Sequence, residues 1–294
     1  MTGHDGGHPS TELILPADAA GFLELCEGFL LAAEAEYNLM VGIARDALAR
    51  PERNATPPFF AVALRGGSVA GAAIHTPPYP LAITAFPASG MERLAECLID
   101  RNREPAGVVG PAADAEGFAG VYCAAAGNRS CRVEKRMRIY RLDRVVHPPP
   151  CGGCLRAAVP ADLALAAEWT RRFHNEVRER GVDHEAVARN AIADGRLFFW
   201  KTDRPVSMGA WVRDTGNARA VGLVYTPQEE RKRGYASACV AGLCEEALSR
   251  GSSFCVLYAD LANPTTNRIY QKIGFRGVAE AAHLVFEPGA GKAR

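Results

Sequence analysis

One order of landmarks occurs twice in this chain. Leu13-Ile14-Leu15 followed by Pro16-Ala17-Asp18 returns as Leu155-Arg156-Ala157-Ala158 followed by Pro160-Ala161-Asp162. Proline and aspartate stand in both copies where a helix start favours them. Phe59 to Leu64, a turn at Arg65-Gly66-Gly67 and Val69 to Ala72 return as Phe198 to Trp200, a turn at Thr202-Asp203-Arg204 and Val206 to Ala210. Each set reads as a β-hairpin. A third strand ends at Pro87 in the first half and at Pro227 in the second. A near-constant offset through five landmarks predicts two copies of one α+β unit, each a mixed, mostly antiparallel sheet flanked by helices. The intervening Pro148-Pro149-Pro150-Cys151-Gly152-Gly153-Cys154 suits neither helix nor strand interior. The expected domains are therefore 1–147 and 155–294, with a linker over 148–154.

Composition narrows the function classes. A formal net charge of +1, with no basic block longer than Arg231-Lys232-Arg233, gives no footprint for nucleic-acid or anionic-membrane binding. The opening MTGHDGGHPS lacks the basic start and apolar run of a secretory leader, and no apolar run reaches spanning length, so a cytoplasmic location is expected. The cysteines are odd in number, nine, and sit in apolar segments, which suits reduced thiols. Cys151-Gly152-Gly153-Cys154 has metal-ligand spacing but no second pair, so linker cysteines are expected there and no metal.

The second half is expected to run strand, helices over 161–180 and 183–194, three meandering strands, a helix over 233–249, a strand, a short helix and two strands. Cys239, Val240, Leu243, Cys244, Ala247 and Leu248 make one apolar stripe at helical spacing, and Gly251 follows as a stop. Gly234, Tyr235, Ala236 and Ser237 thus fall in the first turn of a helix. The first N–H groups of a helix have no partner within it and carry about half a positive charge, which suits a phosphate. Arg231 and Arg233 can add charge-assisted bonds, so the cations are expected to frame a diphosphate. The segment matches neither a Walker loop nor a Rossmann fingerprint. By itself Arg-x-x-Gly-x-Ala also describes an ordinary solvated basic turn.

The reading sharpens with Asn263-Pro264-Thr265-Thr266-Asn267-Arg268-Ile269-Tyr270-Gln271-Lys272-Ile273-Gly274-Phe275. A strand, Arg-x-x-Gly-x-Ala at a helix start, a buried strand, then Asn-x6-Tyr-x3-Gly-Phe resembles the GNAT superfamily of acyl-coenzyme A-dependent N-acetyltransferases. The motifs cover about residues 155–286; residues 11–145 are covered by the repeat of elements, as a degenerate copy. The resemblance implies a wedge between the strand before the loop and the strand after the helix. There, Leu223, Val224, Tyr225 and Thr226 would offer backbone groups to pantetheine and thioester. Main-chain N–H groups of Arg231, Lys232, Arg233, Gly234, Tyr235 and Ala236 would hold the pyrophosphate of acetyl-CoA. Asn263 would contact the cofactor from the far side, and Tyr270 would protonate the departing thiolate, although its ring could equally serve the core.

Two departures accompany the resemblance. Lys232 stands where many members have a second glycine, and Val206 to Arg213 and Arg219 to Tyr225 contain no carboxylate for a general base. Asp260, Glu176 and His174 are the candidates. In the first half, Ala88-Ser89-Gly90 follows Pro87 without any Arg-x-x-Gly-x-Ala, and Gly107-Val108-Val109-Gly110-Pro111, the expected counterpart of the asparagine segment, lacks the tyrosine and Gly-Phe. Only the second half is expected to take the cofactor. The expected activity is direct acetyl transfer to a primary amine, small-molecule or protein, by a monomer or homodimer; the alternatives are a mycothiol synthase-like tandem enzyme or a non-catalytic acyl-CoA sensor.

Overall fold

The computed structural model describes residues 11–179 and 181–289. The segment MTGHDGGHPS that carried the reading of a missing leader lies outside them, as does Arg180. No helix among the described residues is long and apolar enough to cross a membrane. Two compact units are present, one of residues 11–138, 260–262 and 279–289, the other of 139–259 and 263–278.

The first unit contains β1 (Thr11–Ile14), α1 (Ala19–Ala32), α2 (Glu34–Ala49), β2 (Phe59–Arg65), β3 (Ser68–His75), β4 (Leu81–Ile83), α3 (Ala88–Asp100), β5 (Gly107–Pro111) and α4 (Ala112–Ala126). β6 (Arg129–Leu142) begins in it and ends in the second unit. The second unit continues with β7 (Cys154–Ala157), α5 (Leu163–Glu176), α6 (His184–Ala193), β8 (Leu197–Lys201), β9 (Pro205–Asp214), β10 (Ala218–Tyr225), α7 (Tyr235–Ser249), β11 (Phe254–Asp260), α8 (Pro264–Ile273) and the start of β12 (Arg276–Pro288). One strand, β12, stands where two were expected. From Ala279 onward it belongs to the first unit, where Ala281 to Val285 pair antiparallel with Pro111 to Gly107.

In each unit the meander β2-β3-β4 or β8-β9-β10 is antiparallel, and the third strand pairs parallel with the strand after the next helix. Gly107–Pro111 is therefore the counterpart of β11, not of the asparagine segment as the sequence suggested. α4 follows it where α8 follows β11. The comparison of motifs misplaced it because the connecting lengths differ, and only strand pairing restores the register.

Period-two alternation divides the strands of each unit between two cores. Phe59, Ala61 and Ala63 face Leu94, Leu98, Phe118 and Tyr122, while Phe60 and Val62 face Phe22, Leu30 and Val41. In the second unit Phe198 packs with Val240 and Leu243 of α7, and Leu197 and Phe199 pack with Trp169 of α5. The two Pro-x-Asp starts differ in use. Asp18 caps α1 by accepting the Gly21 N–H at 2.9 Å, whereas Asp162 accepts the Val159 N–H at 2.8 Å and holds Arg156.

Candidate functional site

The apolar alternation of β10 breaks in its middle. Val221 faces the α7 core, yet Leu223, two residues on, faces the α5 core together with Tyr225. A register irregularity against β9 lies between Gly222 and Tyr225, and Leu223 adopts φ +50. An extra residue of this kind bends a strand and re-aims the residues after it. A left-handed leucine costs about 1 to 2 kcal/mol, and strain of this kind gathers where geometry serves a function. Against β11, β10 pairs at Ala218–Ala220 with Phe254–Val256, and no pairing continues beyond these among the described residues. The facing edges of Val221 to Tyr225 and Leu257 to Ala259 thus leave a wedge lined by main chain.

The loop after β10 closes one end of that wedge. A single turn at Gln228–Glu230 leads to Arg231 in extended conformation, Lys232 at φ +63 and Gly234 at φ +87, the N-cap of α7. Gly234 lacks a side-chain cap, and the first intrahelical bond is Ala238 N–H to Gly234 O. From Lys232 to Ser237, no main-chain N–H donates to another group among the described residues. A row of free donors at the positive end of a 15-residue helix is an anion site in electrostatic terms. A Cβ on Gly234 would lie 3.4 Å from Cys151 Cβ, so the linker cysteine lies beside the loop. The linker itself is fastened by Trp200 Nε1–H donating to Gly152 O at 2.8 Å.

The three cations differ in their partners. Arg231 donates from Nε to Thr226 O at 2.9 Å and from Nη2 to Glu176 Oε1 at 2.5 Å, with its guanidinium 6.0 Å from the Tyr225 ring centroid. Arg233 pairs at 3.2 Å with Glu230, which is buried and also holds Arg204 at 2.6 Å. Lys232 has no partner among the described residues. Two of the three cations are therefore committed to carboxylates, and the main chain supplies the uncommitted donors. Ser207 Oγ, buried, sits 2.8 Å from Thr226 Oγ1 and 3.2 Å from Tyr225 O, fixing the end of β10.

Tyr270 lies in α8 with its ring against Tyr140 and Phe275. Burial, then the neighbouring thiols Cys244 and Cys239, push its phenol well above the usual tyrosine range, so it keeps its proton at any physiological pH. Its hydroxyl has no partner among the described residues. Tyr140 donates to Asn267 Oδ1 at 2.8 Å, and Asn267 Nδ2 donates to Asn263 O at 2.8 Å. Asn263 spends Oδ1 on the Thr266 N–H at 3.1 Å as the N-cap of α8, which leaves its Nδ2 for a ligand.

The base candidates are dispersed. Asp260 accepts the Ala262 N–H at 2.8 Å in the turn after β11. His174 is buried, with Nδ1 3.2 Å from His184 Nδ1 and the rings stacked. Glu176 holds Arg231. Sequence reasoning missed the Leu223 bulge, the Ser207 to Thr226 contact and the clamp of Arg204 and Arg233 on Glu230. Of these only Glu230, a charge in an otherwise solvated turn, left any trace in the sequence. No group of three or more histidine, cysteine, aspartate or glutamate side chains that could hold a metal occurs among the described residues.

Residues 199–284 match the family described as FR47-like protein. No curated protein matches the sequence. Among solved structures, a Drosophila protein aligns over 96% of this chain and 100% of its own with TM-score 0.67 at 11% identity. A GCN5-related N-acetyltransferase from Sphaerobacter thermophilus aligns over 95% and 97% with TM-score 0.60 at 17% identity. A tandem GNAT protein from the clavulanic acid biosynthesis pathway aligns over 94% and 98% with TM-score 0.56 at 18% identity. The chain shares the fold of these GNAT structures, and the alignment to the tandem protein covers nearly the whole of both chains.

Proposed function

We propose that the second unit is an acyl-CoA-dependent N-acyltransferase that moves an acetyl group from acetyl-CoA directly to a primary amine. The observation that carries this reading is the coincidence of the bulged, half-unpaired β10 with the row of free N–H donors from Lys232 to Ser237. A diphosphate on that row would send pantetheine into the wedge, past Thr226 and Tyr225 towards Val224 and Leu223. Asn263 Nδ2 would reach it from the other wall.

The amine nitrogen forms a bond to the thioester carbon, and a main-chain N–H of the free β10 edge would hold the resulting oxyanion. A fixed donor of this type is worth about 100- to 1000-fold in rate. The intermediate then breaks its C–S bond. The thiolate takes the phenolic proton of Tyr270, and the proton lost by the amine restores the balance. A positioned acid contributes about 100- to 10,000-fold. Burial keeps the phenol protonated, and its unpartnered hydroxyl is available to the thiolate.

A second reading, an acyl-CoA sensor, draws on one observation: each of the three base candidates already engages a protein partner. Incubating the purified protein with acetyl-CoA and a panel of primary amines, and following free thiol, separates the two. The transferase reading expects amine-dependent thiol release; tight binding with no release above background for any amine would favour the sensor.

A further inference from the structure

The ion pair between Arg231 and Glu176 joins the loop before α7 to the last residue of α5, and neither group needs the other for burial. The side chains are 42% and 52% exposed. Glu176 has no other partner among the described residues, whereas Arg231 is anchored independently by Thr226 O and lies over Tyr225. α5 packs Trp169, midway along it, against Tyr225, and Glu176 at its end meets Arg231 beside Thr226, so the C-terminal half of α5 runs along the end of β10, where the pantetheine path is assigned above. The carboxylate thus stands beside the diphosphate loop, at the outer end of the path that leads to the thioester.

We propose that Glu176 is an acceptor-binding carboxylate masked by Arg231, and that the diphosphate of acyl-CoA unmasks it by drawing the guanidinium away. Exposed ion pairs are weak and exchange readily. A diphosphate brings two charges against one to the same guanidinium, and the free N–H groups beside it add to that preference. The Nε contact to Thr226 keeps the root of the guanidinium in place, so the exchange is a swing of its far edge. Glu176, released, is an unpaired anion at the mouth of the path to the thioester and attracts an amine in its ammonium form. The acceptor class this selects is a cationic primary amine, recruited after the acyl donor is in place. The inference rests on the acyl-CoA reading given above.

The test is calorimetric titration of acetyl-CoA into wild type, Glu176→Gln and Glu185→Gln at low salt. Glu185 is a similarly paired surface carboxylate on α6, held by Arg189. Glu176→Gln, which removes the competitor for Arg231, should tighten acetyl-CoA binding by about two- to fivefold, an advantage that fades as salt rises, while Glu185→Gln leaves it unchanged. Thiol release by Glu176→Gln should fall about tenfold or more with simple alkylamines and diamines and hold with hydroxylamine, which is neutral at pH 7. Unchanged or weaker acetyl-CoA binding by Glu176→Gln overturns the mask. Tighter binding with undiminished alkylamine rates, or a wild type that binds acetyl-CoA and acetylates no alkylamine, overturns the acceptor role. A wild type that binds no acetyl-CoA overturns the underlying acyl-CoA reading itself.

Discussion

Gly71 of β3 and Gly209 of β9 each lie in the middle strand of a meander, and what stands over each of them differs. A Cβ on Gly209 would lie 2.6 Å from Leu243 Cδ1, a side chain of the long helix α7. A Cβ on Gly71 would lie 2.6 Å from Phe86 Cδ2, a side chain of the loop itself. In the first unit the loop after the third strand therefore folds back onto its sheet. β4 stops at Ile83; the Thr84 N–H still donates to Ala72 O at 3.0 Å, while Thr84 Oγ1 accepts the Ala72 N–H at 2.8 Å. The Phe86 N–H is taken by Asp114 at 2.9 Å. Gly110 comes so close to Ile83 that a Cβ would lie 2.5 Å from its carbonyl oxygen, so β4 and β5 stay together where β10 and β11 part.

Charge separates the two loops as well. Around Phe86 the neighbours are acidic: burial and then the charge of Asp114 raise the Glu36 carboxyl, and burial followed by Glu36 raises the Tyr37 phenol. An incoming phosphate would meet carboxylates and a plugged wedge. In the second unit it would meet free N–H groups, an uncommitted lysine and a bulged strand. One architecture thus supports a ligand cradle or a sealed core, according to whether the loop keeps its main-chain donors free or spends them on its own unit.

The contrast can be broken by substitution. Gly234→Glu forces a side chain into a left-handed position and places a carboxylate on the phosphate row; acetyl-CoA binding should fall about 1000-fold or more by calorimetry with circular dichroism unchanged. Its counterpart Ala88→Glu, exposed at the first turn of α3, should leave binding within about twofold. Phe86→Ala should cost about 3 to 5 kcal/mol in denaturant unfolding, as a buried ring is removed, and should create no second acetyl-CoA site because the carboxylates remain. Tyr270→Phe should lower turnover about 100-fold with acetyl-CoA affinity nearly unchanged; equal loss of both would remove it as the acid.

Because burial raises the Tyr270 pKa above its ordinary value of 10.0, the acid stays protonated as pH climbs, and a pH profile of thiol release should show no alkaline fall below about pH 10. The smallest effect belongs to Lys232→Gly. Relief of its positive φ should raise stability by about 1 kcal/mol, with acetyl-CoA binding weakened a few-fold by the lost charge.

Local spacing made α7, the position of Gly234 and the segment from Asn263 to Phe275 readable, since a helical stripe, a stop glycine and a cap are written within a few residues of each other. The duplicated order of hairpin and third strand was readable for the same reason. The bulge was not, because a leucine at φ +50 carries no mark that distinguishes it from any other strand leucine. Nor was the plug: Phe86 in an apolar run reads as core, and which core depends on how the loop turns. The partners of the cations were unreadable for a related reason. Arg231 and Arg233 look like phosphate ligands in sequence, while Glu176 and Glu230 find them only once the chain is folded. The path of β12, which ends against β5, depends on pairings between residues far apart in the chain.

The most direct measurement is the stoichiometry of acetyl-CoA binding to the full chain by calorimetry, for wild type, Gly234→Glu and Ala88→Glu. One site per chain, lost in Gly234→Glu and kept in Ala88→Glu, is the predicted result. Two sites per chain, or a site that survives Gly234→Glu, would contradict the assignment of the cofactor to the second unit.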